Sequence, residues 1–562
     1  MPRSATTVAT AETMSRQQRE ISVSEFFLKN RHLLGFDNPR KALLTAVKEA
    51  VDNSLDACEE AGILPEISVG ITQIAEKRFR MEVVDNGPGI VRQQVPRIFA
   101  KLLYGSKFHR LRMSRGQQGI GISAANMYGQ LTTGTATKIL SKIPRGKLAH
   151  HVEVQIDTRK NTPAILKDVE LEWQPAFPRA APDGACAEPA VYKHGTSVTI
   201  EMEAAYVRGR LSVDEFLRQC LVANPHLHLH YRVNLLNKEV DSEGGQTAPL
   251  VEGQWMSWPR LADKLPVPPL EIKPHPHGVE LGMLLQMLRD TESRTLRGAL
   301  SEDFSRVSSQ TALQICERAG LDPKANPRRI AHREVETLFT AIGETKLMRP
   351  PTDCLSPIGE ELIAAGLAKE LEADFVTAVT RGPTVYRGNP FQIEAGIAHA
   401  RPGENTDGGA DEPVRVMRFA NRVPLLYMGG ACAMNKAISG MNWKTYGLSQ
   451  PRGSVPLGPL VVMVHIASVW VPFTSESKEA IAHYPEIIRE ITFCLQECGR
   501  RLAVHLSRRR RLAEAERKRS YIEKYIPHLA LGLKDILELG DKEEHRIVQN
   551  LQTMLERTHL DA

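Results

Sequence analysis

Between Asn38 and Cys58 the chain carries two stripes of opposite character, and no other stretch restricts the fold as strongly. Asn38 is a good helix N-cap and Pro39 suits the first turn. Leu44, Val47, Val51, Leu55 and Cys58 recur at helical spacing, which predicts a helix with one buried face. Glu49, Asp52, Asn53 and Asp56 fall at i, i+3, i+4 and i+7 on the other side. Such a row is either a solvated face, the usual outcome for a surface helix, or the oxygen-rich wall of a site. These residues alone leave both readings open.

The surroundings narrow the choice. A chain of 562 residues, 42% hydrophobic and 25% charged, suits a globular protein of roughly three or four domains. Its net charge of +6 is too small by itself to indicate a nucleic-acid partner. The cysteines at 58, 186, 220, 316, 354, 432, 494 and 498 form no C-x-x-C pair, which argues against a zinc ribbon or a disulfide framework. Residues 1–20 have no apolar core and read as a flexible arm rather than a signal peptide. The most apolar run, GPLVVMVHIASVWVPF (458–473), is too short and too β-branched to span a membrane and predicts a buried strand. No membrane association is expected, and the cytoplasm is the expected compartment.

Hydrophobic patterning predicts a helix over 21–36 and strands over 67–74, 78–86, 150–157 and 195–203. A loop is expected at 171–194, a helix at 211–224 and a strand in HLHLHYRVNL. The Pro-rich stretch 264–278 reads as a linker. Short helices follow to about 345, then a second αβ segment from Ser356, with a loop at 402–413, a basic helix over about 477–520 and a helical tail.

Two further motifs carry chemistry. In VVDNGPGI (83–90) a strand delivers Asp85, and Gly87 and Gly89 permit a tight turn. In SRGQQGIGISAANMYG (114–129) glycines precede a helix whose first amides are unpaired and suit a phosphate. Neither a dinucleotide fingerprint in a βαβ unit nor G-x-x-x-x-G-K-S/T is present.

In this order, E-x-x-x-N on a helix, D-x-G-x-G after a strand and G-x-x-G-x-G before a helix resemble the ATPase superfamily of gyrase, heat-shock chaperone, histidine kinase and MutL. The resemblance implies an α/β (α+β) sandwich of the Bergerat type, with a mixed sheet and helices on one face. It implies ATP and Mg²⁺ as cofactors. Asn53 would offer a neutral oxygen to the metal, Glu49 would act as general base on the attacking water, and Asp85 would accept from the adenine amino group. Arg115, Gly116, Gln117, Gln118, Gly119, Ile120, Gly121 and Ile122 would close over the phosphates. Asp52 and Asp56 either are exposed or tune the metal.

Longer segments are similar to the B-subunit family of topoisomerase VI: KLLYGSKFHRLRMSRGQQGIGISAANMYG (101–129), KPHPHGVE (273–280), LSPIGEELI (355–363), YRGNPFQIEAGIA (386–398), RFANRVPLLY (418–427), NWKTYGL (442–448) and VPFTSESKEAIA (471–482). The implied architecture is an ATP-binding domain (21–263), a linker (264–278), a helix–two-turn–helix domain (279–349), a ribosomal-S5-like transducer (350–520) and a tail (521–562). Resemblance assigns Lys478 to the γ-phosphate, with Lys444 as the alternative, and sets Ser106 and Lys107 beside the nucleotide.

The family also implies a DNA-cleaving A subunit, ATP-dependent self-dimerisation within an A2B2 heterotetramer, and sequence-neutral contact with double-stranded DNA. Arg508, Arg509, Arg510, Arg511, Arg517, Lys518 and Arg519 are candidates for that contact or a solvated helix end. His226, His228 and His230 read as an edge-strand surface rather than a zinc site. The competing function is a MutL-like or chaperone-like clamp, which would lack the helical insert and the 442–482 signature. A sensor kinase would need a phosphoacceptor-histidine helix.

Overall fold

The computed structural model describes the chain apart from residues 1–9, 12–13, 16–17, 19, 106–109, 117–118, 181–185, 238–249, 371–372, 401–410, 476, 539 and 558–562. The expectations for Ser106, Lys107, Gln117, Gln118, much of the N-terminal arm and most of the 402–413 loop lie outside the described residues.

After a short helix α1 (Val23–Lys29) comes the predicted helix, α2 (Pro39–Glu60), capped by the Asn38 side chain, which accepts from the Lys41 amide at 2.9 Å. Its stripe Leu44, Val47, Val51, Leu55 and Cys58 is buried. Helices α3 (Val95–Ala100), α4 (Gly121–Thr133) and α5 (Val213–Ala223) complete the layer with α2. Beneath them lies a mixed sheet built from β1 (Glu66–Ala75), β2 (Arg78–Asp85), β3 (Thr137–Lys142), β4 (Ala149–Asp157), β5 (Thr162–Leu171), β8 (Gly195–Glu203), β9 (His228–Leu236), β10 (Leu250–Val251) and β11 (Met256–Trp258). The strand order is β10-β9-β1-β2-β8-β3-β4-β5, with β11 also on β9, and the layers share one core. β1 runs parallel to β9 and antiparallel to β2.

Several expectations are corrected here. The 171–194 stretch contains a hairpin, β6 (Ala176–Ala180) and β7 (Cys186–Val191), rather than a loop. Phe177 is buried, and the Arg179 guanidinium holds the Glu66 carboxylate at the start of β1. Strands β3 and β5 add to the sequence expectation; β5 is an edge strand with mostly exposed or half-buried residues, so no apolar alternation marks it. The HLHLH segment is not an edge surface, because β9 is flanked by β1 on one side and by β10 and β11 on the other. His226 precedes the strand and pairs with Glu59 at 2.7 Å, whereas His230 is buried on Glu66. Arg179 and Tyr192 also bond Glu66, which leaves that carboxylate no open position for a metal.

A small helical body follows: α6 (Leu281–Asp290), α7 (Leu296–Asp303), α8 (Ser309–Ala319) and α9 (His332–Glu344), with its own core. The stretch before it is pinned rather than loose. Leu270 N–H donates to Asp353 and Ile272 N–H to Leu111.

The third body is a six-stranded sheet, β12 (Ala373–Thr380), β13 (Thr384–Tyr386), β14 (Asn389–Ala400), β15 (Arg415–Ala420), β16 (Val423–Pro424) and β17 (Leu460–Ser468). The predicted apolar strand is β17, buried at every residue. Val462, Val464 and Ile466 face a core shared with α11 (Ala433–Gly440) and α12 (Pro485–Leu537). Val461 and Met463 face α10 (Glu360–Glu370) and, through Val222 and Ala223, helix α5 of the first body. Burial on both faces accounts for a continuous apolar run. The basic helix begins at Pro485, not near 477, and runs to Leu537; before it, Thr474 N–H donates to Ala480 O at 2.9 Å and closes a turn of the chain. Helix α13 (Asp541–Arg557) closes the described chain.

Candidate nucleotide site

A cavity of about 700 Å³ opens where α2, the β2 turn, the N-terminus of α4 and the third body meet. Asp85, Gly89, Thr196 and Ser54 line one end. Glu49, Asn53, Gly116, Gly119 and Lys478 line the other.

At the first end Asp85 is nearly saturated. Its Oδ2 accepts from Ser54 Oγ at 2.8 Å, and its Oδ1 accepts from the amides of Gly87 (2.9 Å) and Thr196 (3.2 Å). Burial nevertheless pushes the carboxyl up to about 6; the three hydrogen bonds oppose that rise because they favour the anion. Gly89, at φ +72°, crosses so close to the neighbouring chain that a Cβ there would stand 2.3 Å from the Lys142 carbonyl oxygen.

At the second end the acidic row divides. Asp52 and Asp56 are buried, which overturns the solvated reading for both. Burial raises Asp52 to about 7, opposed by Lys48. Asp56 pairs with Arg115 at 2.8 Å. Only Glu49 and Asn53 line the cavity. The Glu49 carboxylate fills the space beside Gly121, where a Cβ would lie 1.7 Å from Oε2. A side chain at this position would therefore displace the Glu49 carboxylate, while the backbone angle itself does not call for glycine. Asn53 is exposed and its amide makes no hydrogen bond among the described residues, so its oxygen is free for a hard cation, and the donor set fits Mg²⁺.

The N-terminus of α4 has no side-chain cap, and residues from Gly121 to Ala124 face the cavity. Its unpaired amides and dipole suit a phosphate. Lys478 reaches in from the third body with φ +53°. Burial pulls its ammonium below the ordinary lysine value, with Glu49 opposing, and among the described residues no carboxylate lies within 4.0 Å of it. A desolvated, unpaired cation is costly until an anion joins it. Lys444 is exposed and lies outside the cavity lining.

Arg115 departs from its expected role. It is absent from the lining of this cavity and buried between Asp56, Glu59 and Asn224, at 2.6–2.8 Å from each. Against burial, which acts in the opposite direction, Glu59 and Asp56 raise its pKa. It braces the segment before the glycines. Asn421 Nδ2 donates to the Ser114 carbonyl (2.9 Å) and ties that segment to the third body.

A family model described as the Histidine kinase-, DNA gyrase B-, and HSP90-like ATPase matches residues 38–172, and one described as the Topoisomerase VI B subunit, transducer, matches 350–518. Over 532 residues the chain is 47% identical to the B subunit of type 2 DNA topoisomerase 6 from Methanococcoides burtonii, covering 94% of this chain and 79% of that one. The chain belongs to the B-subunit family of topoisomerase VI. Other topoisomerase VI B subunits agree: that of Archaeoglobus fulgidus is 45% identical (96% and 83% covered) and that of Pyrococcus furiosus 35% identical (96% and 94% covered). As a topoisomerase VI B subunit the chain carries a gyrase-type, nucleotide-binding ATPase domain joined to a transducer. Among the described residues no helix is long and apolar enough to cross a membrane.

Sequence reasoning missed Ser54, Thr196, Lys41 and Glu479. Ser54 had a signal: it sits three residues after Val51, within the apolar stripe, and a hydroxyl at a core position needs a partner. Thr196 reaches the site through folding alone, and folding also pairs Lys41 with Glu479, although each lies near an expected site residue in the chain. The basic run of α12 is partly spent on structure. Arg509 pairs with Asp374 and Arg510 donates to the Gly447 carbonyl, while Arg508, Arg511, Arg517 and Lys518 are exposed.

Proposed function

We propose that this chain binds and hydrolyses ATP with Mg²⁺, and that the cycle gates double-strand DNA passage with a cleaving A subunit. The observation that carries this reading is the convergence of Asp85, Glu49, Asn53, the α4 N-terminus and Lys478 on one cavity. Asp85 accepts from the adenine amino group; guanine presents a carbonyl at that position, so ATP is favoured over GTP. Asn53 holds Mg²⁺, which neutralises phosphate charge when bound. Glu49 orients and deprotonates the attacking water. The α4 amides cradle the phosphates, and Lys478 contacts the γ-phosphate.

Because Lys478 belongs to the transducer, its preference for ATP over ADP biases the position of that domain. Two copies dimerise on ATP within an A2B2 assembly. Arg508, Arg511, Arg517 and Lys518 offer DNA a sequence-neutral charge. The setting is the nucleoid-associated cytoplasm. The transducer match at 350–518 supports strand passage over a bare MutL-like or chaperone-like clamp.

Supercoil relaxation and decatenation with ATP, with and without the A subunit, test this. Relaxation requiring both proteins and ATP is expected; ATP turnover with no topological change when the A subunit is present would count against it.

A further inference from the structure

Lys478 acts from a different domain than the rest of the site, so something must set its position. Its neighbour Glu479 is buried, and the Glu479 carboxylate meets Lys41 Nζ at 2.6 Å with both side chains nearly excluded from water. Each partner is fixed on its own side. Lys41 sits in the first turn of α2, its amide held by the Asn38 cap, eight residues before Glu49 and twelve before Asn53. Glu479 directly precedes Ala480 and Ile481, which are fully buried in the transducer, and Ile481 O accepts from Ala433 N–H. Lys41 also lies 3.4 Å from Asp37 and over the Tyr427 ring, 5.1 Å from its centroid. Arg418 in turn holds the Leu425 and Tyr427 carbonyls at 2.8 Å.

We propose that the Lys41–Glu479 ion pair is the interdomain latch that positions Lys478 over the phosphate end of the cavity. The inference rests on the reading of Lys478 as a γ-phosphate contact. The helix that supplies the base and the metal ligand thereby also sets the register of the loop that supplies the cation. Any rotation of the transducer that separates Lys41 from Glu479 withdraws Lys478 with it. Lys41 lies outside the cavity lining, and Glu479, although it borders the cavity, has its carboxylate committed to Lys41, so both act here as positioning residues. Removing Lys41 leaves the Glu479 carboxylate buried and unpaired, whereas removing Glu479 leaves Lys41 with the more exposed Asp37 alone.

The test uses the full chain, saturating Mg²⁺–ATP and steady-state ATPase assays. Glu479→Gln should lower kcat by between tenfold and about 100-fold, the upper figure being what a displacement on the order of 1 Å costs in a positioned site. Its affinity for ADP, which lacks the γ-phosphate, should hold. Lys41→Glu and Glu479→Lys should each cost more, and combining them should restore about tenfold of the loss. In a Lys478→Ala background, Glu479→Gln should have no further effect. Wild-type kcat in Glu479→Gln, no recovery in the double reversal, or additive losses with Lys478→Ala would each overturn the latch. Full turnover in Lys478→Ala would instead sink the γ-phosphate reading beneath it. If Glu479→Gln does not fold, Lys41→Gln interrogates the same pair from the other domain.

Discussion

The two ends of the cavity are built by opposite strategies. At the Asp85 end every partner comes from the ATPase domain, and the carboxylate is held by Ser54, Gly87 and Thr196 whatever the transducer does. At the phosphate end the wall is assembled from α2, the α4 N-terminus and a transducer loop, with Lys478 unpaired among the described residues and Glu49 close-packed on Gly121. The Asp85 end is preorganised within one body. The end lined by Glu49, Asn53 and Lys478 is complete only when two bodies hold one relative position. Under the proposed function, that division allows nucleotide capture and conformational output to be tuned separately.

The sharpest way to break this division is Glu49→Ala. Turnover should fall about 10³-fold, as loss of a general base does, while equilibrium ATP binding stays near wild type; unchanged hydrolysis would remove Glu49 from the base role. At the opposite end, Asp85→Asn should raise the ATP dissociation constant by roughly 10- to 100-fold, the cost of a lost hydrogen bond to a charged group. Its kcat at saturating ATP should change little. Loss of kcat with unaltered affinity would erase the distinction between the ends.

Gly121→Ala sharpens the contrast because the added methyl meets the Glu49 carboxylate rather than the nucleotide. A fall in kcat of about tenfold is expected, with ATP affinity preserved, read from paired turnover and binding titrations. The mildest effect is on pH. Burial pushes the Asp85 carboxyl up to about 6, and only its ionised form is purely an acceptor. As pH falls through 6 the carboxyl takes up a proton, so ATP affinity should weaken by about tenfold from pH 7 to pH 5. The Asp85→Asn variant should lose that dependence, and an equally steep profile in it would move the titration to another group, such as Asp52.

Much of this was legible in the sequence. The α2 helix, its cap and its buried stripe follow from local spacing and end chemistry. The all-apolar run of β17 announced a strand covered on both faces. Glu49, Asn53, Asp85 and the glycines before α4 sit at short separations in chain order, and they do line one cavity. The reading failed where partners are remote. Arg115 has the sequence of a phosphate contact, yet its guanidinium is taken by Asp56, Glu59 and Asn224. Asp52 and Asp56 share a periodic row with Glu49 but are buried, Asp56 against Arg115. The β6–β7 hairpin hid in a Pro/Ala-rich stretch because its anchor, Glu66, lies 113 residues upstream of Arg179.

Local spacing alone fixed α2 with its cap, the apolar strand β17, the superfamily motifs and the chemical identity of the groups, because helix periodicity, capping and turn formation depend on neighbours within a few residues. Only the tertiary structure decided which charges are free. Whether an acid is a base, a brace or half of an ion pair depends on what desolvates and faces it, and for Asp56 and Glu479 the partners, Arg115 and Lys41, come from segments tens to hundreds of residues away.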